Sequence, residues 1–156
     1  MQLNLPAFDY KIQRTAEGYY IFDVVRRKYV RLTPEEWTRQ HFVHHLINQL
    51  GYPKSLIKLE RGIRYSHHQR RPDIVVYNRS GKPWMLVECK APQVDLSMKI
   101  LEQLARYNPG LQAQLLVMTN GIEHCCWRVS YDPFSHELLQ EIPAFDSLAK
   151  LINQEQ

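Results

Sequence analysis

Two apolar runs joined by a turn constrain this chain more tightly than any other feature in it. Asp73 to Tyr77 and Trp84 to Lys90 have strand character, and Asn78-Arg79-Ser80-Gly81-Lys82-Pro83 between them is rich in turn formers. A hairpin centred between Ser80 and Gly81 sets Asp73 opposite Glu88, because both lie equally far from that midpoint. Side chains paired in this way on an antiparallel ladder have Cβ atoms about 4.5–5.5 Å apart, and two carboxylates there repel unless a cation neutralises them. A bulge in the hairpin would weaken this inference. Lys90, two residues beyond Glu88, points to the same face of its strand.

The opposite face of that strand, Met85, Val87 and Cys89, is apolar, and so are Trp84 and Leu86, which share a face with the charged trio. Charges that close an otherwise buried strand face need a partner or a task. Hard carboxylate oxygens bind Mg²⁺, with Mn²⁺ as the alternative ion, and such a metal keeps several waters and bridges to phosphate oxygens. Lys90 would then position a water or stabilise charge developing on the phosphate. A plain salt bridge of Lys90 with either acid competes with this chemistry.

Around the hairpin, the first helix has the fullest boundary signals: Thr33 as N-cap, Pro34 at the first helical position, Glu36 three residues after the cap, and Gly51 and Pro53 past the end. They place it at about residues 34–50, with Val43, Leu46, Ile47 and Leu50 facing the core and Trp37 joining from the first turn. Before it, Tyr10 to Ile12 and Tyr19 to Phe22, separated by Gly18, read as a hairpin within about residues 8–32. After it comes a strand from Leu56 to Tyr65, and after the central hairpin a helix over 95–108 with Leu96, Ile100, Gln103, Leu104 and Tyr107 on one face and Pro109-Gly110 as its stop. Gln114 to Thr119 and Ile122 to Val129 are strands joined by a two-residue Asn120-Gly121 turn, and a last helix lies near residues 144–153.

This order predicts an α/β fold with a mixed central sheet flanked by helices. At 156 residues and 44% hydrophobic, with no repeat or linker tract, the chain suits one domain over residues 1–156 with its core at about 34–130. The opening MQLNLPAFDYKIQR lacks the apolar run of a signal peptide and no later stretch is long enough to span a membrane, so a cytoplasmic protein is expected. Cys89, Cys125 and Cys126 do not form a disulfide framework, and the adjacent pair with His124 lacks the ligand spacing of a structural zinc site. His41 and His45 are one helical turn apart, but Phe42 stands where a zinc protease needs glutamate.

Residues 1–110 carry 18 Lys or Arg against 10 acids, whereas residues 111–156 carry 2 against 6. The basic part is dense at Arg26-Arg27-Lys28 with Arg31 and again from Lys54 to Arg71, which suits an anionic polymer such as DNA or else a solvated basic surface. Arg64, Arg70 and Arg71, just ahead of Asp73, are candidates for gripping phosphates beside the scissile bond.

Pro72-Asp73, fourteen intervening residues, then Glu88-Cys89-Lys90 resembles the PD-(D/E)xK nuclease motif. The stretch RRPDIVVYNRSGKPWMLVECKAP, together with Leu32 to Trp37 and Thr119-Asn120-Gly121, is similar to the N-terminal nuclease domain of type I restriction enzyme R subunits. Gln103 and Tyr107 have the Gln-x-x-x-Tyr spacing of the RecB-like branch. The resemblance implies a restriction-endonuclease-like α/β/α core in αβββαβ order, here with an extra N-terminal hairpin. It implies that Asp73, Glu88 and the Cys89 backbone carbonyl hold the metal, that Gln103 orients Lys90 or the water, and that Tyr107 contacts DNA phosphate. Many such nucleases add an acid from the first helix, and Glu36 could reach the metal, but the capping box Thr33-x-x-Glu36 is the favoured reading of this residue.

The function expected is metal-dependent hydrolysis of DNA phosphodiester bonds, of restriction or repair type. The alternative is a non-catalytic DNA-binding or assembly module of a larger restriction-like complex. Since no Gly-x-x-x-x-Gly-Lys-Ser/Thr loop occurs in these residues, ATP-driven translocation is assigned to separate helicase or restriction subunits. A homodimer would allow double-strand cuts.

Overall fold

The Asp73–Lys90 hairpin lies in the middle of a six-stranded mixed sheet. The computed structural model describes residues 2–59 and 71–153. The N-terminal part is a three-stranded meander, β1 (Ile12–Thr15), β2 (Gly18–Asp23) and β3 (Lys28–Arg31), rather than the hairpin expected there. The missed strand contains Tyr29 and Val30 in alternation, masked in the sequence by the flanking basic run. Its turn is set by Asp23, whose Oδ1 accepts from Val25 and Arg26 N–H, with Arg27 at φ 57°.

Helix α1 (Pro34–Asn48) follows the boundary signals: Thr33 Oγ1 accepts from Glu36 N–H at 3.0 Å, Pro34 opens the helix, and Gly51 lies beyond it at φ +74°. A short 3-10 turn (Lys54–Leu56) leads into β4 (Ile57–Leu59). There follow β5 (Ile74–Tyr77), β6 (Pro83–Cys89), α2 (Met98–Leu111), β7 (Leu115–Thr119), β8 (His124–Ser130), β9 (Ser135–Leu139) and α3 (Phe145–Asn153). The spatial order of the large sheet is β4-β5-β6-β7-β8-β9, with β6 and β7 parallel and every other pair antiparallel. The α1-β4-β5-β6-α2-β7 run reproduces the αβββαβ core order, and α2 is the crossover that a parallel pair requires. No helix among the described residues is long and apolar enough to cross a membrane.

Each sheet face carries its own core. On one, Phe42, Val43 and Leu46 of α1 and Leu148 of α3 cover Ile74, Val76, Met85, Val87 and Val117. On the other, Ile100, Leu101 and Leu104 of α2 cover Val75, Leu86, Leu116 and Met118. Ile47 and Leu50 are only half-buried, at the margin of the first core. Helix α2 begins later than its periodicity predicted and runs through Pro109-Gly110; burial of Leu111 against the second core accompanies the extra turn, and Gln112 at φ 51° ends it.

The central hairpin has the expected register, Ile74 opposite Val87, Val75 opposite Leu86 and Val76 opposite Met85. The pairing then slips at Tyr77, which faces Pro83. Trp84 is thereby turned to the α3 face, its ring 5.8 Å from that of Phe145, instead of sharing a face with Leu86. The β7–β8 turn also sits one residue later than expected. Asn120 N–H donates to Glu123 O, so Gly121-Ile122 are the central pair, with Gly121 at φ +87°. Asn120 Oδ1 accepts from Ile122 and Glu123 N–H and holds this shape. β9 escaped detection because Ser135–Leu139 is a short, mostly exposed edge strand without an apolar face.

Candidate active site

Extending the Ile74–Val87 pairing by one residue sets Asp73 against Glu88, at the carboxyl ends of the parallel strands β6 and β7. This is where open α/β sheets gather their ligand sites, because crossover loops leave a crevice there. Asp73 Oδ2 accepts from Cys89 N–H at 2.8 Å, tying the start of β5 to the end of β6. Lys90 N–H donates to Thr119 O at 2.8 Å, which fixes the same end to β7. Lys90 Nζ lies 3.4 Å from Glu88 Oε1. Asp73, Glu88 and Lys90 therefore converge.

Glu88 is the strained member electrostatically. Burial first, and the Asp73 charge second, push its carboxyl up to about 8, and Lys90 offsets only part of this. Its buried Oε2 meets no N–H or O–H donor, and a hydrogen bond with the Asp73 carboxylate, which needs a shared proton, adds to the rise. The thiol of Cys89 is pushed up by full burial and is no nucleophile in the resting site.

A cation approaches Asp73 from α1. Arg39, which is 6% exposed, places Nη2 2.6 Å from Asp73 Oδ1 and 3.1 Å from Glu35 Oε1, and its Nη1 bonds Glu36 Oε2. Glu36 Oε1 in turn accepts from Arg26 Nη2 at 3.0 Å and from Gln40 Nε2 at 2.9 Å. Asp23 completes the network, taking Arg26 Nε at 2.6 Å and Gln40 Nε2 at 3.1 Å on Oδ2. Glu36, 1% exposed, thus has both oxygens occupied by this network, and its backbone N–H by the Thr33 cap. The acid of α1 that shares the electrostatic field of Asp73 and Lys90 is its neighbour Glu35, whose carboxyl is raised by burial and by the Asp73 charge.

Arg39 and Glu35 were not singled out from sequence. Their one signal was the i, i+4 spacing on α1, which ordinarily marks a solvated surface pair.

The remaining candidates are distributed as follows. Gln103 is half-buried on α2 beside Leu104, while the side chain of Tyr107 lies outside the described residues. Arg71 is exposed, two residues from Asp73; Arg64 and Arg70 also lie outside the described residues.

Among the described residues no three His, Cys, Asp or Glu side chains are grouped closely enough to hold a metal by themselves. The donor set still fits Mg²⁺, which binds through one or two carboxylates and keeps waters, unlike a closed zinc site. The buried Glu88 Oε2, which meets no donor and lies beside the Asp73 carboxylate, is the atom such an ion would satisfy.

Residues 34–143 match the family model described as type I restriction enzyme R protein N terminus (HSDR_N). Among solved structures, a fragment described as an HsdR subunit of a type I restriction enzyme from Vibrio vulnificus YJ016 superposes with a TM-score of 0.59 at 21% identity, over 80% of this chain. The likeness shows a shared fold. The matched region spans 26% of that longer chain. No curated protein matches.

Proposed function

Because the chain belongs to the family of type I restriction enzyme R protein N termini, we propose that it is a metal-dependent nuclease domain hydrolysing DNA phosphodiester bonds at Asp73, Glu88 and Lys90. The observation carrying this reading is the buried, partly unsatisfied Glu88 carboxylate beside Asp73 with the Lys90 ammonium 3.4 Å away. Asp73, Glu88 and the Cys89 backbone carbonyl would hold Mg²⁺ or Mn²⁺, with Glu35 in place of the saturated Glu36 as the helix acid nearest the site. Bound there, the metal would polarise a water and neutralise charge on the phosphate.

The chain's own residues supply positioning and charge. Arg39 and the Cys89 N–H fix both oxygens of Asp73 before substrate arrives, so its orientation costs nothing during the reaction. Glu88 holds the Lys90 ammonium at the site, where it would stabilise negative charge growing on the phosphate. Gln103 would orient Lys90 or the water, and Tyr107 would touch a phosphate. Arg64, Arg70 and Arg71 precede the Asp73 strand and would grip phosphates beside the scissile one. Hydrolysis forms a bond from water oxygen to phosphorus, the water giving up a proton to solvent, and breaks one to a sugar oxygen, which leaves as the alcohol with a proton from solvent.

A motor for translocation would lie outside these 156 residues, and a homodimer would permit paired cuts. We place the protein in the cytoplasm.

One observation favours a second reading, a DNA-binding or assembly module without cleavage. Arg39 already neutralises Asp73 at 2.6 Å, so these acids can coexist without a metal. Titration with Mn²⁺ separates the two. The nuclease reading predicts one carboxylate-dependent site, lost in Asp73→Asn; wild-type protein that binds no Mn²⁺ at saturation would favour the module.

A further inference from the structure

The N-terminal meander buries one face at the β2–β3 end and leaves the other open. Ile21, Asp23 and Val30 point inward and are almost fully buried. The cross-strand partners Gln13 with Tyr20, Tyr20 with Arg31 and Phe22 with Tyr29 place those residues on the other face, and Lys11, whose carbonyl accepts from Phe22 N–H, extends the same row. The open face thus carries three aromatic rings with a lysine, an arginine and a glutamine. None of these six residues is acidic. Tyr29 is 41% exposed and packs edge-on against Phe22, with ring centroids 5.4 Å apart, while Lys11 Nζ lies 5.8 Å from the Phe22 centroid. The adjoining β2–β3 turn adds Arg27, which is exposed.

We propose that this face binds single-stranded DNA, with a base stacking on Tyr29 and phosphates meeting Lys11 and Arg31. Charge complementarity selects a polyanion, and the exposed Tyr29 ring, with half-buried Phe22 and Tyr20 beside it, selects one whose base faces are free. A duplex keeps those faces stacked inside, so it could use Lys11 and Arg31 but not the rings. The platform is anchored to the same buried network as the candidate active site. Strand β2 ends in Asp23, which bonds Arg26 and Gln40; these reach Glu36, which holds Arg39 against Asp73. A strand lying on the open face would therefore be held by the same rigid framework that positions Asp73. The proposal rests on DNA as the substrate but requires none of the cleavage chemistry.

The test is fluorescence anisotropy with labelled oligo(dT) and a duplex of equal length, using the Lys90→Ala chain in EDTA so that cutting cannot intervene. Tyr29→Ala is expected to weaken oligo(dT) binding about tenfold, the range of a lost base–aromatic stack, and to leave duplex binding unchanged. Tyr29→Phe, which keeps the ring, should retain the affinity. Replacing both cations, Lys11→Gln with Arg31→Gln, should lower the slope of log affinity against log salt by about 1.4 for two single-strand phosphates. Equal oligo(dT) affinity in Tyr29→Ala, or an unchanged salt slope in the double variant, would overturn the proposal. Should Tyr29→Ala fail to fold, the exposed double variant decides alone. Wild type that binds oligo(dT) in this manner yet cleaves nothing would sink the nuclease reading and leave this surface standing.

Discussion

Arg39 Nη2 lies 2.6 Å from Asp73 Oδ1, so a guanidinium from α1 holds the place of the cation that the opposed carboxylates of the central hairpin require. Removing it strands Asp73 and the fully buried Glu36 without their strongest partner. Arg39→Met should therefore lower metal-free stability by about 3–5 kcal/mol, the usual cost of breaking a buried ion pair. Urea unfolding at neutral pH measures this. A loss under about 1 kcal/mol would mean the pair is solvated in solution.

The two acids of the first turn of α1 have separable roles. Glu36 is structural, saturated by Arg26, Arg39 and Gln40, whereas the Glu35 side chain remains 46% exposed and shares its electrostatic field with Asp73 and Lys90. Glu36→Gln should reduce the unfolding free energy by about 2 kcal/mol or more. Glu35→Gln should change it by less than about 0.5 kcal/mol and lower cleavage instead. The reverse pattern would make Glu36 the acid that serves the site.

Glu88 predicts a pH dependence with a definite sign. Its folded-state carboxyl is raised from 4.5 to about 8, so folding favours the protonated form. The stability from this group is fully present below about pH 4.5 and is lost as pH rises through about 8. Glu88→Gln should flatten the metal-free stability curve across that window. Ionised Glu88 is also the metal-binding form, so Mg²⁺ affinity should rise by up to about tenfold per pH unit below 8. Calorimetric titrations at pH 6 and 8.5 test this, and equal affinities would contradict it.

Gly121 is required twice over. It has φ +87°, and a Cβ there would lie 3.0 Å from both Leu3 methyl carbons and 3.2 Å from Thr38 Oγ1. Its carbonyl accepts from Asn4 N–H at 2.8 Å, so the turn also pins the N-terminal segment. Gly121→Ala should cost about 1–3 kcal/mol in chemical denaturation, and a neutral effect would show that Leu3 yields freely.

Asp73 opposite Glu88 was legible because a turn midpoint and the two-residue period of strands fix a hairpin register without tertiary information. The caps of α1 were legible for the same local reason. Arg39 was not, since its partner Asp73 is 34 residues away and an i, i+4 pair with Glu35 looks like surface decoration. Trp84 was assigned to the wrong face because the slip at Tyr77 reverses its direction, and no residue near it announces a bulge. β3 and β9 are short and largely exposed, so pairing with a neighbour rather than their own sequence makes them strands. The β7–β8 turn moved by one residue because the Asn120 side chain caps the next two amides instead of occupying the turn centre.

The most direct test is cleavage of supercoiled plasmid and branched DNA by purified wild-type and Lys90→Ala protein, with Mg²⁺, with Mn²⁺ and with EDTA. Metal-dependent cutting by wild type, reduced at least about a hundredfold in Lys90→Ala through loss of charge stabilisation, is the result this site predicts. Equal cutting by both proteins, or intact substrates throughout, would contradict it.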